Sequence, residues 1–537
     1  MGAPRRTAAT ALAASAALAL AACAPSAPGE GPEGGGDASG GGDGSLVVAT
    51  TTDVVNYNPL VGNSRTDSWV TDLMYPRLLH INDQGEKEAA LATDWGYADD
   101  LTGYFEIRDD MSWSDGEPLT ADDVAWTLQS VLDDQPAGTL LGQMGAVESV
   151  EATSDTRVEL HLSEPDAVVV PEVGFWAVVV PRHVFEPEGS LADFANDAPQ
   201  ADGAWVSAGP YALSEVQRGQ SYTMERVEDY PLADDGTPNA SEVVFRVYPD
   251  VNTELLALQS GEVDLVANAL PPSQVERLQG TDGIEVTEVP GLGYAHLVYN
   301  MQEERLADVQ VRRALAAAVD YDTIREVVLQ GQAVSAGSNP LIPVLSQFAE
   351  DGQEEYAYDP EQARQLLADA GVQDTTFSLL YNLTDPVMAQ SAQLMAEQAA
   401  EAGITLELDG RERNAYLAAT DAGDYEVYLG NFAIMDDPVT NFRLSYQPGG
   451  VINYTYVDDP QLNGLIDEAG RQLDVADQVP IMREAAGIVK DQVYDNILYT
   501  QNLYLAHSDE WSGFEVQPSE LLSVVNPVSL ANATTGG

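Results

Sequence analysis

Cysteine, lysine and histidine are almost missing from this chain. Its 537 residues hold one cysteine, Cys23, two lysines, Lys87 and Lys490, and five scattered histidines. A lone cysteine excludes any disulfide within the chain, so the fold must rest on its core. It also leaves no thiolate set for zinc. A phosphate-binding Gly-x-x-x-x-Gly-Lys loop is excluded, because Glu86 precedes Lys87 and Val489 precedes Lys490. No Gly-x-Ser-x-Gly elbow and no His-Glu-x-x-His pair occurs. Carboxylates are too numerous to single out an acid–base pair, so an enzyme is not expected, and neither is a cofactor or a metal. Positive charge is scarce as well: 23 Lys and Arg stand against 87 Asp and Glu, a net charge of −64. Such a surface repels phosphates and sets aside nucleic-acid binding. The acidity reads as solubility and leaves a preference for cationic ligands open. Beyond residue 45 no apolar run is long enough to cross a bilayer.

What is present begins at the N-terminus. Arg5 and Arg6 precede an Ala- and Leu-rich run over 8–22 that ends in Leu20-Ala21-Ala22-Cys23. The run is too short to span comfortably and too close to the start to be a core helix. It resembles the lipobox of bacterial exported lipoproteins, which implies removal of residues 1–22 and lipid on Cys23. Residues 24–45 are rich in Gly, Pro, Ser, Asp and Glu with no large apolar side chain, so 23–45 is expected to be a lipidated, disordered linker. Such a chain reaches about 25 Å. The arginine pair leaves Sec and twin-arginine export both open.

Downstream, the pattern alternates. A β-rich opening at 46–52 is followed by helical spacing over 68–79. Thr120 reads as a helix N-cap with Asp122 and Asp123 in the first turn. The valine runs 168–170 and 178–180, split by Pro171, read as buried strands. Residues 209–229 read as a hairpin turning at Arg218-Gly219-Gln220. Helices are predicted over 309–319, after Asp320 with a stripe of Ile324, Val327 and Val328, over 360–370 and over 387–402. Strands are predicted at 377–381 and 404–408, and this alternation argues for α/β sheets with helices on their faces.

Several phrases in order carry a resemblance: Trp113-Ser114-Asp115-Gly116 through Val124, Gly209-Pro210-Tyr211, Leu256 to Asp264, Val311-Arg312-Arg313-Ala314-Leu315, and Tyr358-Asp359-Pro360. Together they resemble the extracytoplasmic solute-binding proteins of ABC importers, family 5, the peptide/nickel-binding class. Trp113 and its turn read as architecture, and Arg312 is expected to pair with a carboxylate. The resemblance implies a type II periplasmic-binding-protein fold, with two α/β lobes, a cleft and an additional inserted domain. It assigns 46–81, 203–291 and 505–537 to lobe I, 82–202 to the insertion and 292–504 to lobe II, with crossings near Gly291 and Tyr504. It also implies a monomer on the outer face of the cell membrane, held there by lipid only. A small solute or peptide would close the lobes, and the partners would be an ABC permease and its ATPase.

In peptide-binding relatives the second lobe carries Gly-Trp, then an Asp for the peptide amine, then an acidic residue and Pro. The matching stretch here is Gly430-Asn431-Phe432-Ala433-Ile434-Met435-Asp436-Asp437-Pro438. Asn431 stands at the Trp position and Ile434 at the Asp position. Either Asp436 takes the amine, or the ligand is not a peptide with a free amino terminus; Asp436-Asp437 also fits a turn or cap before Pro438. Tyr294 and His296 follow the first crossing on one strand face, and Tyr499 and Gln501 have the same relation to the second. Asp67 and Trp69 follow the first strand. Asp67, Trp69, Tyr294, His296, Asn431, Phe432, Asp436, Tyr499 and Gln501 are therefore the candidate ligand contacts. A sensor of the same fold, or a binder of sugar oligomers or metal chelates, is the alternative reading.

Overall fold

The computed structural model describes residues 44–536 apart from 62–63, 137–138, 192, 351, 433–435 and 519–522. The leader, Cys23 and the linker up to residue 43 lie outside the described residues, as does Ile434.

Helix starts in this chain are built largely on aspartate. Asp250, Asp308, Asp320, Asp359, Asp385, Asp437, Asp459 and Asp474 each cap a helix by accepting N–H groups of its first turn. After Asp359, Asp385, Asp437 and Asp459 the next residue is proline, whose fixed φ suits the first helical position. Part of the acidity is therefore local architecture.

Two large sheets follow from the apolar strands. The first has seven strands in the order Ile284–Val289, Leu503–Ser508, Leu265–Val266, Ser45–Thr50, Glu242–Val247, Ser221–Arg226, Tyr211–Gln217. At its centre Ser45–Thr50 runs parallel to both neighbours, with Leu46, Val48 and Ala49 fully buried. The second has six strands in the order Ala333–Val334, Asp495–Gln501, Tyr294–Tyr299, Val427–Phe432, Thr376–Asn382, Thr405–Arg411. All six residues of its strand Tyr294–Tyr299 are buried, as a strand covered on both faces requires. A separate four-stranded antiparallel sheet, Ala92–Asp99, Thr102–Ile107, Arg157–Leu162 and Val147–Ala152, packs on the helix Ala121–Asp134. That helix starts after Thr120, whose N–H donates to Asp123 at 3.0 Å.

The chain passes from the first large sheet to the second between Val289 and Tyr294, and returns through Asn502. Gly291 lies against the Gln501 backbone so closely that a Cβ would overlap the Gln501 carbonyl oxygen. Glycine is required there by close approach and not by its φ.

Three local expectations are corrected. Val168–Val170 do not form a strand: Val169–Trp176 is a helix, because these valines are enclosed by neighbours and no sheet edge is offered to them. Val178 keeps only a single bridge, to Arg77. Arg312 pairs with no carboxylate: its guanidinium, 2 % exposed, donates to the carbonyls of Gln492, Val493, Leu306 and Ala307. Val327 points outward, 64 % exposed, because the turns after Asp320 widen into a π-helical stretch over Ile324–Val328 that carries Ile324, Val328 and Leu329 inward.

Two predictions follow from this packing. Gly291→Ala forces the crossing apart and is expected to lower stability by about 1–3 kcal/mol, read from chemical denaturation. Glu254, fully buried in the helix Val251–Gln259, has its carboxyl pushed from 4.5 up to about 8 by burial, with Asp250 adding to it. The folded state therefore holds a proton that the unfolded chain releases above pH 4.5, so stability falls as pH rises from there to about 8. Glu254→Gln removes a pH-dependent loss of up to about 5 kcal/mol. Its thermal midpoint should match the parent near pH 4.5 and exceed it at pH 8.

Candidate functional site

The parallel strands of the second sheet place the site. Thr376–Asn382 runs parallel to Thr405–Arg411 and to Val427–Phe432, so the loops after all three open on one edge. There a cavity of about 460 Å³ is lined by Asn382 and Asp385 after the first strand, Arg413 and Tyr416 after the second, and Asn431 and Phe432 at the end of the third. His296, Tyr428, Tyr446 and Asp495 form its floor, and Arg65, from the helix that follows the first strand of the other large sheet, completes the wall. The volume falls within the usual range for small-molecule sites.

The floor is a fixed polar network. His296 Nδ1 lies 2.9 Å from Asp495, and Nε2 lies 3.3 Å from the Tyr428 hydroxyl. The Tyr446 hydroxyl donates to the same Asp495 carboxylate at 3.1 Å. Burial pushes the Tyr428 and Tyr446 phenols far above their ordinary range, so both act only as neutral donors or acceptors. Tyr294 stacks on Phe432 with centroids 5.5 Å apart and meets His296 edge-on at 5.2 Å.

The predicted residues divide. His296, Asn431 and Phe432 line this cavity. Tyr294, 3 % exposed, stands behind its wall among Phe175, Leu292 and Ile497. Tyr499 is buried in the core of the second sheet, and Gln501 pairs with Ala333 beside the crossing. Trp69 is buried in the core of the first lobe. Asp67 is fully buried and holds the Val55 and Ser64 N–H groups, closing a capping box with Ser64. Sequence reasoning missed Asn382, Asp385, Arg413, Tyr416 and Asp495. The signal was available for the first four, since each follows the C-terminal end of a predicted strand.

Asp436 lies at a different place. A second cavity of about 400 Å³ opens where residues 84–97 and 167–172 meet residues 345–348 and 436–438. The Lys87 ammonium lies 3.1 Å from Glu172, 3.6 Å from Asp436 and 4.6 Å from the centre of the Phe175 ring. The Trp176 indole N–H donates to Asp436 at 3.0 Å. Burial opposes the charge on Lys87, yet Glu172, Asp436 and Asp437 together raise its pKa. Burial pushes the Glu172 carboxyl well up, and that of Asp437 upward too. Asp437 also caps Pro438–Tyr446 through the Thr440 N–H. Further links join the same two regions: Arg443 to Asp166 at 2.8 Å, Gln347 to Glu86 at 2.8 Å, and the Ala167 N–H to the Gly470 carbonyl at 2.8 Å. Among the described residues one carboxylate–histidine group is close enough to share an ion: Glu151, Glu159 and His161. It lies on the surface of the four-stranded sheet, where Arg157 already holds Glu159 at 2.8 Å.

Residues 86–453 match the family described as bacterial extracellular solute-binding proteins, family 5 Middle. The chain belongs to that family. It is 24% identical over 519 residues to the oligopeptide-binding protein OppA of Bacillus subtilis, covering 90% of each chain. Among solved structures, the ABC transporter substrate-binding protein CtaP of Listeria monocytogenes superposes with a TM-score of 0.82 at 23% identity, over 92% of this chain and 100% of that one. The oligopeptide-binding protein AppA of Bacillus subtilis, solved with a nonapeptide, gives 0.73 at 20% identity, over 92% and 99%. These likenesses give this family 5 protein the type II fold with two lobes. The family consists of substrate-binding proteins and not of enzymes. No helix among the described residues is long and apolar enough to cross a membrane.

Lys87→Met leaves Glu172, Asp436 and Asp437 without a cation. It is expected to cost about 3–5 kcal/mol in chemical denaturation, because breaking a buried pair strands its charges. Adding Glu172→Gln should recover part of the loss.

Proposed function

We propose that this family 5 protein is an extracytoplasmic lipoprotein that captures an oligopeptide or similar small solute between its lobes and delivers it to a membrane permease. The lobes are 46–81, 203–291 and 505–537 on one side and 292–504 on the other, with 82–202 as an inserted domain. Lipid on Cys23 holds the protein beside the permease, and the partner's ATPase supplies the energy of transport. The observation that carries this reading is a cavity whose wall takes Arg65 from one lobe and His296, Asn431, Arg413 and Asp495 from the other.

The mechanism is differential binding. A solute touching both walls binds the closed form better than the open one, and its surplus affinity sets the population. Moving an open:closed ratio from 1:99 to 99:1 takes about 5.5 kcal/mol of difference. The floor supports this by being rigid: Asp495 fixes the His296 ring, and the buried tyrosines stay neutral, so the solute meets preset donors and acceptors. The AppA structure with its nonapeptide makes peptides the first solutes to try.

Calorimetry of the full chain against di- to pentapeptides tests the reading, with small-angle scattering recording the change in size on saturation. A binding peptide that contracts the particle is the expected result. Binding without any change in dimensions, or no peptide binding at all, would overturn it. His296→Ala removes one edge of the floor and is expected to weaken the best peptide about tenfold, with its unfolding transition still cooperative.

A further inference from the structure

The second cavity joins parts of the chain that must separate if the lobes open. Phe105, Val124 and Leu160, from the four-stranded sheet and its helix, share one apolar cluster with Leu46, Leu213 and Phe245 of the first large sheet. Those parts are therefore bound to move together. Towards residues 341–348 and 436–446 the same region makes a seam, where Val168 packs with Phe348 and Phe442, and Phe175 with Leu345. In that seam sits the Glu172 carboxyl, 1 % exposed, on the helix Val169–Trp176. Three charged groups face it: Lys87 from the strand Lys87–Ala89 on its own side, and Asp436 and Asp437 from the far side. The other ionisable groups nearby are engaged elsewhere. His80 pairs with Glu88, Arg77 with Asp72, Glu106 with Arg157, and Asp94 with the Tyr104 hydroxyl. The Tyr97 hydroxyl serves the Asp166 carbonyl and the Val170 N–H, and Glu86 takes the Gln347 amide. One ammonium thus serves three carboxyls. Asp436 also accepts the Trp176 indole N–H and Asp437 the Thr440 N–H, whereas among the described residues Glu172 has only the Lys87 ammonium, 3.1 Å away.

We propose that this seam is a proton-operated latch: with Glu172 protonated its two sides stay together, with Glu172 ionised they part, and the solute is held more tightly in acid than in alkali. This rests on the solute-binding reading above and adds regulation to it. With all four groups ionised, the closed cluster carries two surplus negative charges, and a proton on Glu172 removes one of them. Surplus charge is costly where water is excluded. Opening takes Asp436 and Asp437 away, leaves Lys87 to Glu172 alone and admits water, so the proton is no longer needed. Burial, and then Asp436, push the Glu172 carboxyl well above 4.5, with Lys87 opposing them. Burial also raises that of Asp437, which acts in the same direction. The closed form therefore keeps a proton that the open form gives up above pH 4.5. Closing is strongest near that pH and weakens as pH rises through the raised value. One proton taken up on closing changes the closed:open ratio by up to about tenfold per pH unit.

The test is small-angle scattering of the ligand-free full chain from about pH 5 to 9, with hydrogen exchange as a local readout. The particle should be contracted at the acid end and expand as pH rises. The Ala167 N–H, which donates to the Gly470 carbonyl across the seam at 2.8 Å, should lose at least about tenfold of its protection over the same range, after correction for its intrinsic rate. Glu172→Gln, a neutral group of the same shape, should stay contracted and protected throughout, with its unfolding transition still cooperative. Glu254→Gln removes the buried carboxyl of a helix packed on the first large sheet and should leave the pH response intact. Dimensions and protection that do not change with pH overturn the latch. So does a response that survives Glu172→Gln, or one that Glu254→Gln abolishes equally. If a peptide contracts the particle and pH alone does not, only this inference falls; if neither does, closure of the two lobes falls with it.

Discussion

Two chain crossings lying backbone to backbone govern what the cavity can do. Strand Ile284–Val289 of one large sheet leads within a few residues into Tyr294–Tyr299 of the other, and Asp495–Gln501 leads back into Leu503–Ser508 through Asn502 alone. Gly291 rests on the Gln501 carbonyl between them. Strands on either side are tied into their sheets by ladder hydrogen bonds. Rotation of one sheet against the other therefore concentrates in these few linking residues. A second constraint opposes free rotation, because Ile81, Val168 and Phe175 share apolar clusters with Leu341, Leu345 and Phe442. The buried Lys87 cluster and the Arg443–Asp166 bond lie along the same seam.

Charge is distributed with more order than a net value of −64 suggests. Eight aspartates are fixed at helix starts, where the dipole and first-turn N–H groups stabilise them. Most described arginines hold carboxylates or carbonyls, so the acidic excess is tempered locally.

The fold was legible wherever local chemistry decides it. The helices expected over 360–370 and 387–402 form as Pro360–Asp369 and Pro386–Glu401, and the hairpin expected over 209–229 forms from Tyr211–Gln217 and Ser221–Arg226 around the turn at Arg218-Gly219-Gln220. Periodicity failed at Val168–Val170, where a short apolar run surrounded by neighbours satisfies either a helix or a strand and packing decides. The carboxylate partner expected for Arg312 failed because carbonyls at a helix end serve a guanidinium as well as a carboxylate does, and only the fold shows which is near. Of the expected contacts that line the cavity, His296 came from strand phase beside the crossing, and Asn431 and Phe432 from the family phrase around Gly430. Asp495 escaped, since it joins His296 across 199 residues of sequence through sheet pairing alone. Asp436 was expected at the main cavity and lies beside Lys87 instead, a placement that the residue pattern does not mark.

The order of strands in the first large sheet bears on biosynthesis. Leu503–Ser508 sits between Ile284–Val289 and the strand Leu265–Val266, so it fills an interior slot, not an edge. Until the ribosome has produced those late residues, the earlier strands carry an unfilled gap with exposed apolar faces. Contacts of such long sequence separation slow folding and prolong the interval in which a nascent chain aggregates. The same delay leaves the first large sheet open until Leu503–Ser508 has been made, so a late segment locks that sheet into shape.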